Sequence, residues 1–191
     1  MIDYSQCKKA HAEPEASSMI ETFRAIGYSV EAAIADIIDN SITAGAKNIW
    51  VDYEWKGEKT TISIIDDGCG MSDKELINAM RPGSKNPLDI REQKDLGRFG
   101  LGLKTASFSQ CRKFTVISKT NQGEISWWTW DLEYVANEAK SWALVQYYPD
   151  GPFFNQIEKS DSGTAVVWWD VDRLVKGTQA DNEEAMGKFM K

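Results

Sequence analysis

The sequence predicts an α/β fold, because segments with helical hydrophobic spacing are followed by segments in which apolar residues alternate. The length of 191 residues, with 42% hydrophobic and 27% charged residues, is typical of one globular domain. Helical spacing occurs in residues 18–26, 29–45, 72–80 and 102–110. Strand-like alternation occurs in residues 49–55, 61–65, 114–116, 125–132, 142–148 and 164–171.

Three of the predicted helices have capping residues at their start. Ser18 followed by Glu21 fits a capping box for the first helix, and Ser72 followed by Glu75 fits one for the third. The Ser29 hydroxyl can accept hydrogen bonds from the N-terminal N–H groups of the second helix. The first two predicted strands form a hairpin, and the tail from residue 172 is expected to be helical and polar. Residues 81–96 contain two prolines and many charges, and they indicate a long loop of the kind that is functional or mobile.

Composition excludes several classes of function. The formal net charge of −7 argues against non-specific nucleic-acid binding by this domain, which needs clustered Lys and Arg. The tryptophans of the later strands are interpreted as sheet packing, not base stacking, since Lys and Arg are not interleaved with them. No apolar run reaches the roughly 20 residues that span a bilayer, and the first residues contain no apolar signal core, so secretion is not expected. Three dispersed cysteines favour reduced thiols, so we expect a cytoplasmic protein without a membrane partner.

The second predicted helix carries the first candidate functional residues. Asp36 and Asn40 lie four positions apart and share one helix face, with Ala44 one turn further on. The surrounding residues are mostly Ala and Ile, which is unlike a solvated face. From this helix alone, the pair is either a buried hydrogen-bonding arrangement or a site of chemistry.

A glycine cluster at residues 97–105, reading GRFGLGLKT, precedes the fourth helix. It is not a P-loop, because Leu103 separates Gly102 from Lys104, and its glycine spacing differs from the dinucleotide fingerprint. Glycines before a helix still favour phosphate binding, since bare backbone N–H groups and the positive helix end face the ligand.

Four motifs occur in order along the chain: Asp36-x-x-x-Asn40, Asp66-x-Gly68-x-Gly70, Gly97-x-x-Gly100-x-Gly102 and Gly163-Thr164. Together they resemble the GHKL ATPases, the superfamily of DNA gyrase B, heat-shock chaperone ATPases, histidine kinases and MutL. The resemblance covers residues 17–171, and the wording IADIIDNSITAGA with GRFGLGLKTA is most similar to MORC-type and related bacterial ATPases. It implies the Bergerat ATP-binding fold, a two-layer sandwich of a mixed, mainly antiparallel sheet with helices on one face.

The resemblance also implies roles for individual residues. Asn40 matches the ligand of a Mg²⁺ ion that bridges the ATP phosphates, and Asp36 matches the general base. Asp66 matches the acceptor of the adenine amino group, which Thr164 supports. Gly68, Gly70 and Met71 would lie against the base. The phosphate-binding segment comprises Phe99, Gly100, Leu101, Gly102, Leu103 and Lys104. Residues 81–99 match the ATP lid, with expected contacts from Ser84, Lys85 and Arg98.

The sequence departs from the family at the general base, where hydrolysing members commonly carry glutamate. Aspartate is one methylene shorter, so slow hydrolysis of ATP to ADP and phosphate is the leading hypothesis. Thr43 also replaces a common aspartate. The alternatives are an ATP-sensing switch without useful turnover and a histidine kinase. Against the kinase, no plausible phosphoacceptor helix surrounds His11, the sole histidine.

The expected organisation is a polar lead-in at residues 1–16, an ATP-binding domain at 17–175 and a polar tail or linker at 176–191. Relatives carry a transducer or effector domain beyond this point, so a missing C-terminal region is expected. By resemblance, the full-length protein would form a nucleotide-dependent homodimer. DNA would be a partner only through other regions, in DNA manipulation or defence.

Overall fold

The computed structural model describes residues 5–25, 27–84, 102–147, 152–175 and 182–189. These residues form an α/β sandwich with a five-stranded sheet, which confirms the predicted fold class. The strands are β1 Ile49–Glu54, β2 Thr61–Asp66, β3 Lys113–Lys119, β4 Ile125–Asp131 and β5 Gly163–Trp169. The α-helices are α1 Ala16–Ala25, α2 Val30–Thr43, α3 Asp73–Met80, α4 Gly102–Gln110, α5 Leu132–Tyr134, α6 Pro152–Lys159, α7 Asp172–Val175 and α8 Glu183–Phe189.

The strand order is β1-β2-β5-β3-β4, and each of these neighbouring pairs is antiparallel. The last strand in sequence, β5, therefore lies at the centre of the sheet. Its register places Thr164 opposite Asp66 of β2 and opposite Ser118 of β3. Residues that are far apart in sequence thus meet at one end of the sheet.

The main core lies between the sheet and helices α1 to α4. Strand residues alternate between the two faces of the sheet, so every second side chain points toward the helices. The strands contribute Ile62, Ile64, Phe114, Val116, Val166 and Trp168 to this core, and the helices contribute Ile20, Phe23, Ala33, Ile37, Leu76, Met80, Ala106 and Phe108. Trp130 and Trp168 are 2% and 0% exposed, which agrees with the packing interpretation of these tryptophans.

Two of the predicted helix caps are present. The Ser29 side chain accepts a hydrogen bond from the N–H of Ala32 at 3.3 Å, and Glu75 Oε2 accepts from the N–H of Ser72 at 2.8 Å. The first helix instead begins at Ala16, two residues before the predicted cap. Ser18 donates to Glu15 at 3.1 Å, so the local hydrogen bond forms with a residue upstream.

The predicted strand at residues 142–148 is wrong for the part that the structure describes. Only Val145 pairs with the sheet, through an isolated bridge to Thr129 of β4, and a π-helical turn, Val135–Ala139, comes before it. Aromatic alternation alone cannot distinguish a strand from an irregular segment that packs against a sheet edge. The following helix, α6, was not predicted.

Helix α6 covers the face of the sheet opposite to the main core. Its buried Phe154 and Ile157, three residues apart, pack against Ile65, Ile117, Ala165 and Val167 in a second, smaller cluster. The Lys119 ammonium donates to the backbone oxygens of Glu158 and Ser160, both at 2.8 Å, and so satisfies carbonyls at the end of this helix. Among the described residues, no helix is long and apolar enough to cross a membrane.

Arg24 links three helices from inside the core. Its side chain is 3% exposed and donates to the backbone oxygens of Phe108 and Cys111 and to the carboxylate of Asp172, each at 2.7 Å. Loss of the guanidinium would leave two carbonyls and a partly buried carboxylate without this donor. Such groups are expensive to leave unsatisfied.

We expect Arg24→Ala to lower the free energy of unfolding by about 3 kcal/mol, because a buried hydrogen-bonded charge is removed. Urea denaturation measures this loss. Arg112→Ala is the matched control, since Arg112 is 36% exposed and pairs with the surface carboxylates of Glu21 and Glu133. We expect that control to change stability by less than about 1 kcal/mol. Equal losses in the two variants would contradict the assigned role of Arg24.

Candidate functional site

A pocket of about 250 Å³ lies between α2, the start of α4 and one end of the sheet. Residues of all four motifs, which are separated by up to 124 positions between Asn40 and Thr164, meet in its wall. The predicted site residues that line it are Asn40, Ala44, Asp66, Gly70, Met71, Ser84, Gly102, Leu103, Lys104 and Thr164. The fold therefore assembles most of the predicted site in one place.

Asp66 forms the polar floor of this pocket and is only 7% exposed. Its carboxylate accepts from the Ser41 hydroxyl at 2.8 Å and from the Gly68 N–H at 2.9 Å. Thr164 lies opposite Asp66 in the register of the sheet. A carboxylate has about four acceptor positions, so these two hydrogen bonds leave room for a donor from a ligand.

Burial raises the pKa of Asp66 above the ordinary range of an aspartate. The hydrogen bonds from Ser41, Gly68 and Thr164 act in the opposite direction, because they stabilise the ionised form. Because the folded pKa is raised, folding favours the protonated form of Asp66. The stability that this form contributes is present in full below the unfolded pKa and is lost as the pH rises through the folded pKa. The ionised acceptor is thus held at this position at a cost to the fold.

The neighbouring carboxylate, Asp67, has a different task. It accepts from the N–H groups of Lys47 and Asn48 at 2.7 and 2.9 Å and from the Asn48 side chain at 2.8 Å. These hydrogen bonds, led by the Asn48 N–H, lower the pKa of Asp67. Asp67 therefore fixes the connection before β1, while Asp66 faces the pocket.

Gly70 is required by the packing of the loop after β2. Its φ of +67° is unfavourable for other residues, and an added Cβ would lie 1.9 Å from the carbonyl oxygen of Lys119. At Gly68, an added Cβ would approach the Ala44 side chain and the Asp66 carboxylate, both at 2.9 Å. These glycines bring the loop close to α2 and β3, and so shape the pocket wall.

Two serines that were not predicted complete the site. Ser118 of β3 bonds the Thr164 hydroxyl at 2.9 Å and accepts from the N–H of Met71 at 2.8 Å. Ser41 of α2 supports Asp66 as described above. Ser41 could have been found in the sequence, because it lies four residues after the buried Ile37 and so shares an inward helix face. Ser118 gave no such signal, since its partners come from the register of the central strand.

Asn40 and Asp36 lie one turn apart on α2, as the spacing predicts. Asn40 is exposed and lines the pocket, so its carboxamide oxygen is accessible to a ligand or an ion. Mg²⁺ commonly takes one or two protein oxygens and completes its shell with phosphate and water. A single asparagine oxygen fits that pattern when a phosphate chain supplies other ligands.

Asp36 is half-buried and lies beside the N-terminus of α4, outside the pocket lining itself. A Cβ added at Gly102 would lie 3.5 Å from its Oδ2 atom. This is an ordinary van der Waals distance, so the carboxylate lies close to the start of α4. The carboxylate adjoins the segment where phosphate binding is predicted.

Lys104 is 2% exposed although it lines the pocket. Its ammonium donates to the backbone oxygen of Ala79 at 2.7 Å, near the end of α3. The lysine therefore connects α4 with α3, and its charge lies at the pocket wall. Direct neutralisation of phosphate by this ammonium stays a prediction.

Five predicted site residues lie outside the described residues: Lys85, Arg98, Phe99, Gly100 and Leu101. The predicted lid is described only for residues 81–84, of which Ser84 lines the pocket. Several lining residues were not predicted, namely Ile37, Ser41, Cys69, Ala79, Val116 and Val166. Most of these are apolar residues that their spacing in the sequence identifies as core residues. The spacing does not reveal that they also line a pocket.

Known proteins match part of the chain. The ATPase morc-1 of Caenorhabditis elegans is 29% identical over 87 residues, which are 46% of this chain and 10% of the relative. The DNA mismatch repair proteins MutL of Pelotomaculum thermopropionicum and Dictyoglomus turgidum are 34% and 38% identical over 91 residues, covering 46% of this chain and 14% and 15% of the relatives. The matched segments are thus a small part of these longer proteins.

The family described as histidine kinase-, DNA gyrase B- and HSP90-like ATPase matches residues 28–164. This range includes α2, strands β1 to β4, the first two residues of β5 and all residues that line the pocket except Val166. The match ends at Thr164, the residue that pairs with Asp66 across the sheet. The chain belongs to the GHKL family of ATPase domains.

Proposed function

We propose that this domain binds ATP with Mg²⁺ in the pocket below α2 and hydrolyses it slowly to ADP and phosphate. The observation that carries the proposal is the Asp66 carboxylate, buried at the pocket floor with acceptor capacity beyond its hydrogen bonds to Ser41 and Gly68. Adenine presents an amino donor where guanine has a carbonyl oxygen, so an anionic acceptor selects adenine. Apolar neighbours such as Ile37, Val116 and Val166 suit a planar ring.

The phosphate chain would extend from the adenine toward Asn40 and the start of α4. The N-terminal N–H groups of this helix favour a negative ligand. Asn40 would hold the metal ion, which when bound neutralises charge that develops on the phosphates. Membership of the family and the position of Asn40 in the pocket wall support this orientation.

Asp36 would act as the general base of hydrolysis. The water oxygen forms a bond to the terminal phosphorus, and the bond from this phosphorus to the bridging oxygen breaks. ADP leaves with the bonding electron pair, and Asp36 accepts the proton of the water. The position of the carboxylate beside Gly102 supports this role. The shorter side chain of aspartate, compared with glutamate, favours slow turnover.

A second candidate function is an ATP-sensing switch that binds nucleotide without useful hydrolysis. It is favoured by the position of Asp36 outside the pocket lining. A base that lies further from the terminal phosphate activates water poorly. In this case nucleotide binding alone would change the association of the chain or of attached domains.

The wider context rests on the relatives. MutL is named as a DNA mismatch repair protein, and morc-1 as an ATPase. We propose by analogy that the full-length protein forms a nucleotide-dependent homodimer and carries C-terminal transducer or effector domains. We further propose that it is cytoplasmic and takes part in DNA manipulation or defence. Coupling through closure of residues 81–99 is part of this proposal, as is the contact of Lys85 and Arg98 with nucleotide.

We expect Asp36→Ala to lower the hydrolysis rate at least about 100-fold, because the proton acceptor is removed. Its affinity for a non-hydrolysable ATP analogue should stay close to that of the unchanged protein. Single-turnover hydrolysis and calorimetry measure the two quantities. Asp39→Ala is the control, since Asp39 is an exposed carboxylate on the same helix. An undiminished rate in Asp36→Ala would rule out the catalytic assignment, and a rate near zero in the unchanged protein would favour the switch.

We expect Asp66→Asn to weaken ATP binding by roughly tenfold to 100-fold, since an anionic acceptor facing a buried donor is lost. Acidification should weaken ATP binding by the unchanged protein, because it protonates Asp66. Since burial raises the pKa of Asp66, this loss should begin at a higher pH than it would for an aspartate of ordinary pKa. Calorimetry across pH measures the ATP affinities of the unchanged protein and of Asp66→Asn. The titration of ATP itself affects both and cancels in their ratio. Asp52→Asn, at an exposed position of β1, is the control. A ratio that is independent of pH would exclude the proposed contact.

A further inference from the structure

Strand β1 lies at one edge of the sheet, and its outer side pairs with no other strand among the described residues. All of its residues except Ile49 are exposed. They include Trp50, Val51 and Tyr53, which are 44%, 48% and 45% exposed. An edge strand that presents large apolar side chains to solvent is a surface on which another strand can pair.

The opposite edge of the sheet is covered. The outer side of β4 receives Val145, whose N–H and carbonyl oxygen bond the backbone of Thr129 at 3.0 and 2.8 Å. Proteins commonly protect an edge in this way, or by placing lysine or proline on the edge strand. Strand β1 reads IWVDYE and contains neither residue type. Within the described part of the chain, β1 is therefore the edge that lacks these protections.

The backbone of β1 determines which of its residues can pair outward. The N–H of Asp67 donates to the carbonyl oxygen of Asn48 at 3.3 Å, and these two residues are opposite each other when the β1–β2 register is continued by one position. Hydrogen-bonded and non-bonded pairs alternate along an antiparallel ladder. The even-numbered residues of β1 therefore direct their backbone polar groups toward β2. The odd-numbered residues direct theirs outward, and these are Ile49, Val51 and Tyr53.

A second copy of β1 fits this edge in an antiparallel register centred on Val51. A two-fold axis at this position places Val51 opposite Val51 of the second copy, and Ile49 opposite Tyr53. All outward-facing residues of both strands are then used. Val51 also lies opposite Ile64 of β2, a residue of the main core, so its side chain is on the face of the sheet that carries the helices. The register thus brings apolar side chains against apolar side chains on this face.

The charges of β1 favour the same register. It places Asp52 opposite Trp50 of the second copy and Glu54 opposite Asn48, so each carboxylate faces a neutral side chain that carries an N–H donor. A centre at Asp52 would place two identical carboxylates opposite each other, which is destabilising. A centre at Trp50 would place Tyr53 opposite residue 47, which lies before the start of the strand. The strand is therefore complementary to itself about Val51.

We propose that β1 is a self-association surface, on which a second copy of this chain pairs antiparallel about a two-fold axis at Val51. The two sheets would then form one continuous sheet. This inference goes beyond the proposed function, because no residue of β1 lines the nucleotide pocket. The association therefore does not require nucleotide. Since a single strand of each chain takes part, we expect a weak, micromolar interaction.

The test is sedimentation velocity of the full chain without nucleotide, over a range of protein concentrations. We expect a monomer–dimer equilibrium. Val51→Lys should raise its dissociation constant at least roughly tenfold, because two ammonium groups would face each other across the axis. Met186→Lys is the matched control, since it introduces the same charge at an apolar position of α8 that is 37% exposed. This control should associate like the unchanged protein, and circular dichroism should show both variants folded.

A mixture of two variants tests the position of the axis. Val51→Glu alone should also weaken association, because like charges again face each other. An equal mixture of Val51→Lys and Val51→Glu should dimerise, since position 51 faces itself and opposite charges then meet.

Three results would each overturn the self-pairing of β1. They are an unchanged protein that is monomeric at every concentration, a dimer that Val51→Lys does not weaken, and a mixture of the two variants that stays monomeric. The last result would assign the edge to another register or to a partner of another kind. None of these results bears on ATP binding, which calorimetry measures separately.

Discussion

The buried carboxylate of Asp66 is the interaction on which the pocket depends. It accepts hydrogen bonds from α2 through Ser41 and from the loop after β2 through Gly68, and Asp66 itself lies opposite Thr164 of β5 in the sheet. Three separate segments therefore meet at one residue. The raised pKa of Asp66 shows that the anion is not the form the fold itself prefers. A group that opposes folding and is still surrounded by fixed donors is better explained by binding than by stability.

The sequence could predict the parts of this molecule that depend on local patterns. Ser29, Ser72 and the spacing of Asp36 and Asn40 are local signals, and the structure has the corresponding caps and helix face. Contacts set by strand register were not predictable, and Ser118 beside Thr164 is an example. The segment before α6 shows a second limit, because alternating aromatic residues pack on a sheet edge with only one bridge, at Val145.

The two aspartates of the site are held in opposite ways. Asp66 is enclosed by backbone N–H groups and a hydroxyl, and these donors come from elements that the sheet fixes in place. Asp36 is half-buried, and its Oδ2 atom lies near the start of α4, 3.5 Å from the position that a Cβ on Gly102 would take. The binding group is thus enclosed by fixed donors, whereas the group assigned to proton transfer is more open to solvent. This difference provides a physical reason why recognition and turnover could vary independently in such a domain.

Lys119 has contacts on both faces of the sheet. Its carbonyl oxygen lies against Gly70 at the pocket, while its ammonium donates to the carbonyl oxygens of Glu158 and Ser160 at the C-terminal end of α6 on the opposite face. Because one residue makes both contacts, a displacement of α6 would pull on the backbone that supports the loop after β2. Helix α6 is therefore linked through Lys119 to the wall of the candidate pocket. A movement of a segment attached to α6 would therefore be transmitted to the pocket wall.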